Sequence, residues 1–405
     1  MSMRHLPIYL VLLSMIGLAF GAGYISYPLL HAAPEAAVAP AVPGGEAEMD
    51  VYWEIWRLLD RDFYGDKPTA AQRNYAAIRG MVESFNDPYT YFVEPQPREL
   101  ERDSLAGKFG GIGATIEAGA NGYLLHPQAE QPAARAGVQD GDLLLMVDDR
   151  EITAQMTVDE VVALVRGPVG SPVTLVVRRQ DENGATQQLT LQVRRAEIYT
   201  PSVEWRMLAD AGHESVGYIR LALFTERSPE EMRQAITELA GQGASRYILD
   251  LRGNPGGLVN SAVQIADLWL DGGVIYIEQR ADGSEQTQQA TAGTAAGDVP
   301  LAVIVDAGSA SASEIVAGAI QDHGRGKLVG EKTFGKGSVQ LIHELSDQSS
   351  LHVTNAQWLT PNRHPITAYG LQPDVPVEPG ADPLPQAIAV VEAAAVAQAG
   401  GEPLP

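Results

Sequence analysis

Hydrophobic positions recur along this chain with two different periods. From residue 49 the apolar residues recur at helical spacing and predict an amphipathic helix, and a second helix is predicted over 75–85. Alternating apolar and polar residues instead predict strands over 173–178 and 189–193, with the turn Asp-Glu-Asn-Gly at 181–184 joining them as a hairpin. Helices therefore come first, and a strand-rich module follows them.

Strands and helices alternate through the second half of the chain. We predict strands over 216–221, 247–251, 274–277 and 301–305, and helices over 229–239 and 258–270. This order is typical of an α/β fold with a mainly parallel core sheet. The tail from residue 381 is rich in Ala and Pro, with a helix-like stretch over 387–399 that either folds back as a dimer contact or is solvated.

The N-terminal segment carries a long uncharged stretch. Arg4 and His5 precede residues 6–30, none of which is charged, and this length can span a bilayer as a helix. We predict that residues 1–31 are either a retained membrane anchor or a cleaved secretory signal, because an Ala-rich exit follows at His31. Both alternatives place the body of the protein outside the cytoplasm. An Ala-, Pro- and Gly-rich linker is predicted over 32–48.

Composition narrows the classes of function. The 405 residues exceed one ordinary core, so two or three domains are expected. The net charge of −23 argues against nucleic-acid binding, which needs clustered Lys and Arg. The chain has no cysteine, which excludes disulfides and thiol catalysis, and no pair of histidines at zinc-peptidase spacing. We therefore expect no metal and no cofactor.

The strongest chemical signal is the run Gly-Ser-Ala-Ser-Ala-Ser-Glu that begins at Gly308. It follows an apolar strand and precedes a helix-like segment. A strand that turns into a helix N-terminus exposes a side chain beside free backbone N–H groups, which suits a nucleophile and a developing oxyanion. Downstream, Gly-Lys-Gly-Ser-Val-Gln at 335–340 places Lys336 between two glycines. Serine with lysine as base is an established form of nucleophilic catalysis.

These motifs resemble those of the carboxyl-terminal processing peptidases, also called tail-specific proteases. The resemblance covers roughly residues 50–380, and it implies a crotonase-like α/β protease core, an inserted β-rich PDZ domain and a small helical N-terminal segment. By the family motifs, Ser311 is the nucleophile, Lys336 is the base 25 residues later, and Gln340 orients the lysine amine. Lys332 is the rival base. Ser309 and Ser313 are expected to serve the turn, and Glu314 to favour the helix dipole.

The resemblance also implies an oxyanion hole and a domain organisation. The glycine-rich turn Asp-Leu-Arg-Gly-Asn-Pro-Gly-Gly at 250–257 supplies one donor from Gly257, and the second is the N–H of Ala312. Asp250 and Arg252 are expected to form a structural ion pair, and Asp322 is treated as structural. The implied segments are the helical N-terminal part, the PDZ domain, the protease core and the tail, at 49–106, 107–198, 199–380 and 381–405. The loop at 361–366 departs from the usual glycine-serine form of the family.

A PDZ domain captures peptides by strand addition and holds a terminal carboxylate in the backbone N–H groups of a glycine loop. The peptide-binding residues implied here are the loop and a following arginine, namely Phe109, Gly110, Gly111, Ile112, Gly113 and Arg166. The expected partners are protein or peptide substrates with apolar C-termini, together with a membrane through the N-terminal segment and a homodimer. A tail-binding adaptor without catalysis and an acyl-transfer enzyme on the same core are the competing functions.

Overall fold

The computed structural model describes residues 49–180, 184–209 and 213–400. The predicted signal or anchor segment and the whole of the predicted linker lie outside the described residues, as do residues 181–183 of the predicted hairpin turn. No helix in these ranges is long and apolar enough to cross a bilayer. The chain divides into two compact units after residue 74.

The first unit contains the amphipathic helix predicted from residue 49. Helix α1 (Asp50–Asp62) carries three aromatic side chains, and the guanidinium of Arg73 lies 4.0 Å from the ring centroid of Trp56. Arg73 also pairs with Asp60 at 2.8 Å. Helix α2 (Ala70–Glu83) begins in this unit and continues into the second.

After helix α2 the second unit continues with a short strand, a helix and a second short strand that lead into a strand-rich module. They are β1 (Tyr91–Val93), α3 (Pro95–Ala106) and β2 (Lys108–Gly111). The elements of the module are β3 (Ala114–Gly119), β4 (Gly122–Pro127), α4 (Pro132–Arg135), β5 (Asp142–Val147), β6 (Arg150–Glu151), α5 (Val158–Val165), β7 (Pro172–Gln180) and β8 (Thr186–Arg194). Strand β9 (Ala196–Tyr199) returns to pair antiparallel with β2. The module has its own apolar core, in which Leu125, Val161 and Leu175 are fully buried.

The remaining elements combine strands and helices, as the sequence predicts. They are β10 (Val203–Leu208), β11 (His213–Leu221), α6 (Ser228–Gly241), β12 (Arg246–Asp250), α7 (Val259–Trp269), β13 (Gly273–Arg280), β14 (Glu285–Ala290), β15 (Leu301–Val305), α8 (Ala312–Asp322), β16 (Lys327–Gly330), β17 (Ser338–Glu344), β18 (Ser350–Leu359), β19 (Val375–Pro376) and α9 (Leu384–Gly400). Within the described residues the main sheet has the order β10-β11-β12-β15-β16-β19, and every pairing in it except β10 with β11 is parallel.

Both faces of the main sheet are covered by helices. Successive residues of a strand point to opposite faces, so Leu249 packs with helices α6, α7 and α8 while its neighbour Ile248 packs with α9. The tail helix therefore lies on the sheet of its own chain, with Ala387 and Val391 fully buried. The similarity of this core to the crotonase fold remains a prediction.

One predicted core strand lies elsewhere. Strand β13 does not join the main sheet, but pairs antiparallel with β14 and β18 in a second sheet that also contains β1 and β17. Gly272 and Gly273, both with positive φ, redirect the chain between α7 and this strand. The second sheet matters for the site because β17 begins two residues after Lys336.

Candidate active site

Ser311 lies at the sharp turn between strand β15 and helix α8. Its backbone has φ 56° and ψ −113°, a combination that costs a residue with a Cβ about 1–3 kcal/mol and persists only where the surroundings enforce it. Its hydroxyl donates to no acceptor in the described part of the chain. The turn therefore presents a strained serine whose hydroxyl proton has no acceptor among the described residues.

The two neighbouring serines are committed to the framework. The Oγ of Ser309 donates to the carbonyl of Leu251 at 2.8 Å, and the Oγ of Ser313 donates to the carbonyl of Asn254 at 3.0 Å. Both side chains are fully buried. These bonds fasten the serine turn to the glycine-rich turn that follows β12.

The glycine-rich turn lies directly against Ser311. A Cβ on Gly256 would lie 2.9 Å from the Cβ of Ser311 and 3.1 Å from the backbone nitrogen of Ala312, so no larger residue fits there. Gly257 has φ 130°, and a Cβ on it would lie 2.2 Å from the carbonyl oxygen of Phe224. No described residue accepts a hydrogen bond from the N–H of Gly257 or Ala312. Two free donors thus flank the serine.

Asn254 holds this turn in shape. Its fully buried amide donates to the carbonyl of Leu221 at 2.9 Å and accepts from the N–H of Gly256 at 2.9 Å. Asp250 and Arg252 form the expected ion pair at 2.6 Å, with Asp250 fully buried. Burial and a hydrogen bond to Asp250 raise the pKa of Tyr218 to about 12, which keeps that hydroxyl protonated as a donor.

Glu314 joins the nucleophile turn to the lysine loop. Its fully buried carboxylate accepts from the N–H of Ser311 at 2.9 Å, and it also accepts from the N–H groups of Gly335 and Lys336 at 2.7 and 2.9 Å. A fourth bond comes from the Oγ1 of Thr333 at 2.6 Å. Burial raises the pKa of Glu314, while these four donors act in the opposite direction. The sequence places Glu314 in the first helical turn, but gives no sign of this bridge.

Lys336 is half-buried, and burial lowers the pKa of its amine, while the charge of Glu101 raises it. The Nζ of Lys336 lies 5.4 Å from the centroid of the Tyr89 ring. Both Lys336 and Ser311 are described, and no hydrogen bond joins the Nζ to the Oγ of Ser311. Gln340 lies on β17, and its amide donates to the carbonyl of Tyr89. Lys332 is exposed.

The loop at 361–366 is held by Asp322. The Oδ2 of this residue accepts from the N–H of Asn362 at 2.8 Å, which ties the 361–366 segment to the end of helix α8. No group of three or more His, Asp or Glu side chains in the described ranges is arranged to hold a metal ion.

The predicted peptide-binding loop lies at the edge of the strand-rich module. Phe109, Gly110 and Gly111 belong to β2, and a Cβ on Gly110 would lie 2.0 Å from the carbonyl oxygen of Gly167. The N–H of Gly167 donates to the carbonyl of Gly110 at 3.1 Å. The first three residues of the predicted loop therefore form a strand that pairs with β9, and their backbone is not free to bind a peptide there.

Two donors of this loop remain free. The carbonyl groups of Ile112 and Gly113 accept from Ala133 and Gln128, yet no described residue accepts from the N–H groups of Ile112 and Gly113. The structure also brings Arg166 to the loop. Its guanidinium lies 3.9 Å from the centroid of the Phe109 ring, and its buried Nε has no partner among described atoms.

Comparisons with known proteins agree with the resemblance seen in the sequence. Residues 215–377 match peptidase family S41, and residues 126–179 match the PDZ domain. A protein of Synechocystis sp. named carboxyl-terminal-processing protease is 38% identical over 327 residues, which are 80% of this chain and 75% of that protein.

Two further relatives show how far the similarity extends. A CtpA-like serine protease of Staphylococcus haemolyticus is 33% identical over 83% of this chain. The chain spans 65% of the length of that relative. The solved structure of a photosystem II D1 C-terminal processing protease is 31% identical, with 84% of this chain and 90% of that chain covered and a TM-score of 0.48.

The Glu314 bridge generates the first testable prediction. In Glu314→Gln an NH₂ group replaces one oxygen and faces backbone donors, so we expect a loss of about 2 kcal/mol in the free energy of unfolding. The same change should slow the reaction of Ser311 with a fluorophosphonate, because the two loops lose their common acceptor. Denaturant titration and labelling rates measure both effects, and exposed Glu204→Gln is the matched control. Equal stability and labelling in the two variants would contradict the role of the bridge.

Proposed function

Because the chain belongs to peptidase family S41 and contains a PDZ domain, we propose that it is a serine endopeptidase that takes its substrates by their C-terminal tails. The proposal assigns the nucleophile to Ser311 and the general base to Lys336. The observation that carries it is the Glu314 carboxylate, which accepts from the N–H of both residues and so fixes the serine turn beside the lysine loop.

The proposed reaction proceeds through an acyl-enzyme. Neutral Lys336 takes the hydroxyl proton as the Oγ of Ser311 attacks the scissile carbonyl carbon, and the N–H groups of Gly257 and Ala312 stabilise the resulting oxyanion. The protonated amine then gives its proton to the leaving nitrogen as the peptide bond breaks. Water activated by the same amine hydrolyses the ester and restores the serine. The two free donors beside Ser311 support this assignment.

Burial favours Lys336 over Lys332 as the base. A lysine must lose its proton before it can accept one, and desolvation disfavours the charged amine. Lys336 is half-buried whereas Lys332 is exposed. Gln340 is proposed to orient the amine when substrate is bound, since catalytic hydrogen bonds often tighten only in the complex. Without substrate, its amide nitrogen is bonded to Tyr89.

The PDZ domain is proposed to bind the free carboxyl end of a substrate. Strand β3 is an edge of the domain sheet in the described residues, and α5 packs against it, so an extended peptide can add as a further strand. The free N–H groups of Ile112 and Gly113 then receive the terminal carboxylate. Arg166, on the ring of Phe109, supplies the opposite charge.

We also propose that the segment 1–31 anchors or exports the protein and that the protein forms a homodimer. The uncharged stretch over 6–30 supports the first proposal. The second is supported by the apolar side chains that helix α1 exposes, Trp53 and Ile55 among them.

The Ser-Lys assignment predicts the behaviour of two variants. Ser311→Ala and Lys336→Ala should each lower kcat for peptide cleavage about 10⁴-fold or more, since each removes a group that every bond change needs. Cleavage of one fluorogenic peptide measures this, with circular dichroism as a check on folding. Lys332→Ala is the matched control for the lysine and should retain turnover. Ser309→Ala removes a framework hydrogen bond but not the nucleophile, so it should lower kcat far less than Ser311→Ala. Ordinary turnover in Ser311→Ala or Lys336→Ala would refute the pair.

The state of the lysine also predicts a pH dependence. Because the protonated amine cannot accept the serine proton, kcat/KM should rise with pH as Lys336 loses its proton. Burial lowers the pKa of Lys336, so this rise should lie below the range of a free lysine. A profile of kcat/KM against pH checks the prediction, and a flat profile from weakly acidic to alkaline pH would contradict it.

Tail capture predicts discrimination between free and amidated peptides. A C-terminal amide removes the charge and one acceptor, so its kcat/KM should be about tenfold lower than that of the free acid. Arg166→Gln should shrink this ratio, whereas Arg178→Gln, an exposed arginine of the same domain, should keep it. Equal cleavage of both peptides by the unaltered protein would refute tail capture. An unchanged ratio of kcat/KM for the free acid and the amide in Arg166→Gln would show that this arginine does not bind the carboxylate.

A further inference from the structure

A short turn before strand β1, residues 87–90, lies against the lysine loop and has no role in the proposed mechanism. The ring of Tyr89 in this turn faces the amine of Lys336, and its centroid lies 5.4 Å from the Nζ. A cation at this distance from an aromatic face is attracted by the electrons of the ring. The backbone carbonyl of the same tyrosine accepts from the amide of Gln340. Tyr89 therefore contacts both the proposed base and the residue proposed to orient it.

Hydrogen bonds fix the turn that carries Tyr89. The carboxylate of Asp87 accepts from the N–H of Tyr89 at 3.2 Å and from the hydroxyl of Thr90 at 2.7 Å. The hydroxyl oxygen of Thr90 accepts in its turn from the N–H of Thr354 on β18 at 3.1 Å. Thr354 also pairs in register with Gln340 of β17. The turn is thus fastened to the strand that lies beside Gln340.

The bond to Tyr89 also decides which end of the Gln340 amide is available. A backbone carbonyl can only accept a hydrogen bond, so it selects the NH₂ end of the amide. The Oε1 of Gln340 is then left as an acceptor for an N–H of the Lys336 amine. A neutral amine that donates to this oxygen can direct its lone pair to the hydroxyl of Ser311. The tyrosine carbonyl therefore turns Gln340 into the orientation that a general base requires.

We propose that Tyr89 is a positioning residue that acts through Lys336 and Gln340, with its ring holding the amine and its carbonyl orienting the amide. The proton that leaves Ser311 converts the amine into an ammonium, and the ring favours this charged form over the neutral one. The attraction therefore grows as the serine attacks, and an interaction that is stronger in the transition state accelerates the reaction. The proposal rests on the assignment of Lys336 as general base.

Carboxylates also lie around the lysine loop, and the variants must leave them in place. Glu314 of helix α8 binds the backbone N–H of Lys336, and Asp87 belongs to the same turn as Tyr89. Glu101 of helix α3 raises the pKa of Lys336, while burial lowers it. Tyr89→Leu changes none of these charges and keeps an apolar side chain beside the amine, so it removes the ring alone. Tyr89→Phe keeps the ring, and both variants keep the backbone carbonyl.

An NMR titration of the full chain measures the effect of the ring on the amine directly. The chain contains five lysines, so labelling their Cε atoms with ¹³C gives few signals, and Lys336→Arg identifies the one that belongs to Lys336. Without the ring the ammonium loses a stabilising contact, so the pKa of Lys336 in Tyr89→Leu should be lower than in the unaltered protein by about 0.5 or more. In Tyr89→Phe it should keep the value of the unaltered protein.

Cleavage of a fluorogenic peptide measures the consequence for catalysis. Tyr89→Leu should lower kcat about tenfold, and Tyr89→Phe should recover most of that loss. The matched control is Tyr64→Leu, which changes an exposed tyrosine of the first unit and should affect neither the pKa of Lys336 nor kcat. Circular dichroism confirms that each variant is folded.

An unaltered pKa of Lys336 in folded Tyr89→Leu would overturn the proposal, whatever its kcat. If Tyr89→Leu does not fold, 4-cyanophenylalanine in place of Tyr89 keeps the shape of the ring but withdraws electrons from its face. The pKa of Lys336 should then be lower than in Tyr89→Phe, and equal values would overturn the proposal. Ordinary turnover in Lys336→Ala would refute the base itself, which is a separate failure because the titration needs no catalysis.

Discussion

The buried carboxylate of Glu314 is the contact on which the geometry of the site depends. A fully buried carboxylate is stable only where donors surround it, and here the donors come from two loops. One is the turn that carries Ser311, and the other is the loop that carries Lys336. Because the same carboxylate must satisfy both loops, neither can move without leaving a buried charge poorly paired. Ser311 and Lys336, the proposed nucleophile and base, are thus placed by their backbones rather than by a bond between their side chains.

Close packing of small residues completes the site. Gly256 lies against Ser311 and the nitrogen of Ala312 with no room for a Cβ, and Asn254 fixes the turn from within. The next residue, Gly257, has an N–H that no described residue accepts. The strained backbone of Ser311 is tolerated because Glu314 and the Ser309 and Ser313 hydroxyls hold the turn from both sides. Steric closeness and hydrogen bonding therefore enforce the same arrangement.

Helix α3 connects the second sheet with the strand-rich module. Its Glu101 lies 3.5 Å from His352 of the second sheet, and its end at Gly107 passes directly into β2, which carries part of the predicted peptide-binding loop. The carbonyl of Leu105 accepts from Glu226 of the core, and the carbonyl of Gly107 accepts from Thr200 after β9. Helix α3 is thus tied by backbone hydrogen bonds to both the core and the strand-rich module.

The sequence by itself determined what local chain chemistry can encode. Periodicity located most strands and helices of the core, and the motifs located Ser311, Lys336 and the glycine turn, because strand-turn-helix geometry and flanking glycines are written in consecutive residues. Tertiary structure decided the rest. Glu314 accepts from backbone N–H groups more than twenty residues away, and Arg98 of helix α3 bonds to Glu344 at the end of β17. Two glycines precede or begin β13, which pairs only in the second sheet. The sequence likewise left open whether the tail helix α9 packs on the main sheet of its own chain. Such partners are fixed by packing between distant segments, which no local pattern specifies.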